Sequence, residues 1–155
     1  MKYSLIVLFL FAINTFKAGI TNAEYYTALA SQDTVKINAQ LSLLAGLQTN
    51  TTNAYTGALQ MKKAGILKSG KEKLTLFKKG KLLLEAAIKK EPQNAEYHFL
   101  RLIIQENCPA ILNYHDQINE DAKQVRSAYK SFNTEIKKAI IDYAKTSKVL
   151  KAEEL

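Results

Sequence analysis

Proline occurs twice and glycine six times in 155 residues, and tryptophan is absent. So few breakers leave long helices uninterrupted. No run of β-branched and aromatic residues alternates with polar ones, which removes the sheet-based classes. The single cysteine, Cys108, excludes an internal disulfide, so the fold must stand on its apolar core. Only two of the 22 basic residues are arginine. That scarcity, with few aromatic residues beside the lysines, argues against a nucleic-acid surface. The longest apolar run, "LIVLFLFAI" at 5–13, has nine residues, too few to span a bilayer.

That run is instead the centre of an export signal. Lys2 supplies the positive start, and small residues follow. "TNA" at 21–23 gives a cleavage position before Glu24, and Ala18 gives an alternative. The expected division is a signal peptide over 1–23 and one helical domain over 24–155, exported to the periplasm or beyond. No cysteine stands directly after the apolar run, so no lipid anchor is indicated, and no transmembrane span is expected after cleavage.

Charge is the next feature. The formal net charge is +8, and it is concentrated. Ten lysines and two acids, Glu72 and Glu85, lie between Lys62 and Lys90. A molecule polarised in this way favours anionic partners at low salt. Part of the cluster is a solvated helix face, with Glu85 spaced to pair with Lys81 and Lys89. Lys71, Lys78, Lys79 and Lys81 are the candidate partner-binding residues.

Apolar residues at helical spacing predict six or seven helices. Residues 24–30 read as a frayed lead-in. A helix follows after Ser31 or Asp33, with Ile37, Leu41 and Leu44 on one face. Another covers about 53–67, and a long one about 71–91. In that long helix Leu76, Phe77, Gly80, Leu83, Leu84, Ala87 and Ile88 form one stripe. Asn94 caps a helix ending near Asn107, and Pro109 opens one over 109–118. Two more cover about 120–132 and 134–152.

The corner "EAAIKKEPQNAEYHFLRL", 85–102, carries a family likeness. Gly80, Leu84, Ala87 and Pro92 stand at the small, large, small and proline positions of the second half of a tetratricopeptide repeat. Over about 71–105 the chain resembles that family. Upstream, Ala64, Lys68 and Lys71 depart from its pattern; downstream, Tyr114, Asp121 and Arg126 do. The resemblance implies an all-α fold, a right-handed array of antiparallel helical hairpins, with an irregular helical bundle as the alternative. It also implies a non-catalytic module that binds a protein or peptide partner. The lysine cluster supports a second function, attachment to an anionic or membrane surface.

Residues that could carry chemistry are few. His98, Cys108, His115 and Asp116 match no metal-ligand spacing, and no cofactor is expected. "KSGK" at 68–71 lacks the glycine spacing and preceding strand of a phosphate loop. Glu120-Asp121 reads as acid at a helix start, where the dipole favours it. An enzyme is not expected.

Overall fold

The computed structural model describes residues 21–155. The proposed export signal lies almost wholly outside them. Seven α-helices form, and no strand occurs among the described residues: α1 (Asn22–Ala30), α2 (Thr34–Leu44), α3 (Asn50–Ile66), α4 (Gly70–Lys90), α5 (Ala95–Asn107), α6 (Ile118–Ala128) and α7 (Thr134–Ala144). Side-chain oxygens set most of the starts. Thr21, Asp33, Ser69, Asn94 and Asn133 each accept a backbone N–H of the first turn, and Thr49 with Thr52 makes a reciprocal capping box. Such a cap contributes about 1 kcal/mol to its helix. α2 ends where Gly46 adopts a left-handed backbone, φ +83°.

α3 and α4 form the tightest pair. Three residues join them, which makes them antiparallel neighbours. A Cβ placed on Gly57 would stand 2.6 Å from the Gly80 carbonyl oxygen, and one on Gly80 would stand 2.5 Å from that of Gly57. The two backbones therefore touch at this crossing, and no other residue type fits there. Asn50 fastens the far end by donating to the Ala87 carbonyl and the Glu91 carboxylate.

α5 is the central helix. Tyr97, Phe99, Leu100 and Leu102 have no exposed surface. A helix apolar on so many sides must be covered from several directions. α6 runs antiparallel to it, pairing Asp121 with Arg101 and Gln117 with Gln105. Phe99 is flanked by Tyr26 of α1 and Tyr143 of α7, at ring distances of 5.7 and 5.8 Å. α1 also packs directly on α7. The first and last helices thus meet, and the array closes on itself.

Three stretches differ from expectation. Residues 24–30 are no loose lead-in: Tyr25, Ala28 and Leu29 of α1 are buried. The Tyr25 hydroxyl donates to the Tyr55 carbonyl, and its ring stacks on Tyr55 at 4.0 Å. Residues 109–118 are not an α-helix. A single 3-10 turn, Ala110–Leu112, ends at Asn113, whose φ is +46°. Tyr114 is then free to turn inward against Phe77 of α4. The last helix stops at Ala144 rather than near 152. Ser147 takes over the backbone N–H groups of Val149 and Leu150, and the Leu150 side chain is fully buried.

Candidate functional site

At 100° per residue, Lys71, Lys78, Leu82 and Lys89 fall on one line along α4. Thr75 and Ala86 lie beside them, and all six are exposed. Lys79 stands on one flank. Lys81 stands on the other, half-buried, with its ammonium 4.5 Å from the centre of the Tyr114 ring. The structure therefore gathers Lys71, Lys78 and Lys79 on an open face and sets Lys81 apart. Every ion pair among the described residues lies elsewhere. These ammonium groups consequently have no carboxylate partner there.

Two leucines interrupt the lysines. Leu82 is 73% exposed and Leu74 is 44% exposed. On the Lys79 flank, beside the α3–α4 connection, lies a shallow cleft of about 590 Å³, with Leu67 and Leu76 in it and Lys63, Lys71, Lys79 and the acid Glu72 around it.

The expected pairs of Glu85 with Lys81 and Lys89 do not form. Glu85 turns toward the interior, where it accepts from the Arg101 guanidinium at 3.0 Å and from the Tyr114 hydroxyl. Behind it lies a buried ionic cluster. Arg101 donates Nε and Nη2 to the two oxygens of Asp121, each at 2.8 Å. Asp121 has no exposed surface. It also meets His98 Nδ1 at 2.6 Å, while His98 Nε2 meets the Pro92 carbonyl at 2.9 Å. Four segments are joined: α4, the Pro92 corner, α5 and α6. Paired charges this deep demand complete hydrogen bonding, and Asp121 has it. Asp121 is thus more than helix-start acid, and His98 is buried beside it.

Cys108 and His115 do come together, with Sγ 3.4 Å from Nε2. The same Nε2 lies 3.0 Å from the Cys108 carbonyl oxygen. A carbonyl only accepts, so Nε2 carries the proton and offers the thiol no base. The thiol itself faces the Tyr114 carbonyl at 3.4 Å. Burial pushes the Cys108 thiol above its ordinary value. The pair holds a neutral thiol and braces the 108–115 loop. Asp116 is exposed and takes no part. Among the described residues, no three His, Cys, Asp or Glu side chains are grouped to hold a metal ion. None of the described helices is long and apolar enough to cross a membrane.

Comparison with known proteins finds no matching family model, no similar curated protein and no similar solved structure.

Proposed function

We propose that this is an exported, non-catalytic helical binding module, working in the periplasm or outside the cell, that engages an anionic partner through the lysine face of α4. The observation that carries the proposal is the line of exposed lysines that enter no ion pair, while Glu85 beside them is taken by Arg101. Lysines that serve only solubility are usually interspersed with acids. Here Glu85, the acid spaced to pair with Lys81 and Lys89, is held by Arg101 and Tyr114 instead. Export rests on Lys2, the apolar run 5–13 and the small residues after it. Of the two cleavage positions, that after Ala18 leaves Thr21 to cap α1 and Asn22 to accept from the Tyr55 hydroxyl. Cleavage after Ala23 removes both. A mature chain beginning at Gly19 therefore fits the fold better than one beginning at Glu24, and sequencing the N-terminus of the exported protein decides between them.

A protein or peptide partner is the second reading. It is favoured by the cleft where Lys63, Lys71 and Lys79, with Glu72 among them, surround Leu67 and Leu76, a mainly positive rim beside apolar carbon. The likeness to a tetratricopeptide repeat fits the stacking corner at Gly80, Leu84, Ala87 and Pro92. The packing of α1 on α7 favours the closed bundle over an open hairpin array.

The test is binding of the full mature chain to poly-glutamate, followed by fluorescence anisotropy at low and moderate salt. The expected result is binding that weakens steeply with salt. It should fall by about two orders of magnitude when Lys71, Lys78 and Lys79 become Gln, at roughly fivefold per lysine. Binding untouched by those three substitutions would remove the lysine face from the proposal.

A further inference from the structure

We infer that the anionic partner is the headgroup layer of a lipid bilayer, with α4 lying along it and Leu74 and Leu82 dipping below the lysines; the inference rests on the proposed role of the lysine face. Four observations favour a bilayer over an acidic protein.

The first is shape. α4 has 21 residues and no proline, which makes a convex rod about 30 Å long at 1.5 Å per residue. Such a rod meets a flat surface along its whole length. The second is the kind of base. The face carries lysine alone, and lysine is depleted in protein interfaces, where arginine is enriched. A compact, hydrated ammonium on a flexible stem suits scattered phosphates and keeps its charge at the water boundary.

The third is the position of the apolar side chains. Leu82, at 73% exposure, sits within the lysine line between Lys78 and Lys89 rather than on a separate edge. Leucine gains nothing from water there, and a headgroup layer puts it within reach of acyl carbon. The neighbouring loop offers a further apolar tip. Ile111 is 92% exposed, three residues before Tyr114, which anchors the loop on Phe77 and Lys81 of α4. The fourth is the absence of opposing charge on the line itself. Glu72 lies toward the cleft, and Glu85 is held by Arg101 and Tyr114.

The experiment is co-sedimentation of the mature chain with phosphatidylglycerol-containing vesicles and with pure phosphatidylcholine vesicles. Poly-glutamate binding is measured in parallel. Leu74 and Leu82 are exposed, so a Leu74→Ser, Leu82→Ser variant retains the fold, checked by its circular dichroism and melting temperature. The expected result is partition onto the anionic vesicles alone. It should fall by about tenfold in the leucine variant and by about a hundredfold when Lys71, Lys78 and Lys79 become Gln. The leucine variant should bind poly-glutamate as the parent does. Poly-glutamate binding without vesicle binding would overturn the bilayer and leave the lysine face standing. Vesicle binding unmoved by the leucine changes would overturn the seated geometry. Failure to bind either would overturn both proposals.

Discussion

His98 is the residue whose environment says most about its state. Its two ring nitrogens face two acceptors, the Asp121 carboxylate and the Pro92 carbonyl. A neutral imidazole has one N–H and can satisfy only one of them. The ring is therefore the imidazolium in this fold. The Asp121 hydrogen bond holds its pKa above the ordinary histidine value, against the opposing effect of burial. The sign follows from linkage. A group whose folded pKa is raised contributes stability fully below the unfolded value, about 6.5. That contribution is lost as pH rises through the higher folded value. Urea midpoints should accordingly carry a declining component as pH rises above about 6.5. His98→Gln should flatten that decline. Asp121→Asn, which leaves the Arg101 guanidinium without its buried partner, should cost roughly 3–5 kcal/mol. A pH profile unchanged by His98→Gln would show that the ring is not charged here. The sequence held part of this. Arg101 is one helical turn from His98, both amid Tyr97, Phe99, Leu100 and Leu102. Two basic groups on so apolar a helix call for an acid from another element. Several acids were available, and nothing local distinguishes Asp121 from Glu120, its exposed neighbour.

At the scale of elements, legibility followed the strength of local signals. α4 and α5 begin and end within a residue or two of expectation, because Ser69, Pro92 and Asn94 punctuate them. Expectation failed where a long-range contact outbid the local pattern. Residues 109–118 have helical spacing and a proline at the right place. Even so, Tyr114 finds Glu85 and Phe77, and a left-handed Asn113 permits the turn. Residues 145–152 likewise leave the helix because the Glu106 carboxylate collects the Tyr143 hydroxyl, the Ser147 hydroxyl and the Lys148 N–H. The α3–α4 crossing was half visible: Gly80 stood at a small position of the repeat pattern, but its pairing with Gly57 needed the structure. It gives a sharp prediction. Gly57→Ala or Gly80→Ala forces a methyl into backbone, which has no rotamer to yield. Each should cost at least about 2 kcal/mol by chemical denaturation. Gly65→Ala, where nothing lies within 4 Å of the added carbon, should be neutral or slightly stabilising. A tolerant Gly80→Ala would mean that the helices cross farther apart than described.

The molecule as a whole poses the question that the corner at Pro92 could not answer. A stack of hairpins is held by neighbours alone, so removing its last unit trims stability by one unit and leaves the rest folded. A closed bundle behaves otherwise. Here Phe99, at the centre, is covered by Tyr26 from one end of the chain and Tyr143 from the other. Ile136, Ile140 and Leu150 belong to the same core as Tyr25 and Leu29. Glu106 would lose all three of its donors with the C-terminal segment. Ending the chain at Asn133 therefore strips one side of the central helix and leaves α1 without α7. The expected outcome is loss of the cooperative thermal transition followed by circular dichroism, with exposed apolar surface detected by dye binding. A shortened chain that kept its helicity per residue and melted sharply would mean that the contact of α1 with α7 is dispensable. In that case stacked hairpins, as the likeness at Gly80 to Pro92 implies, would describe the energetics better than a closed bundle does.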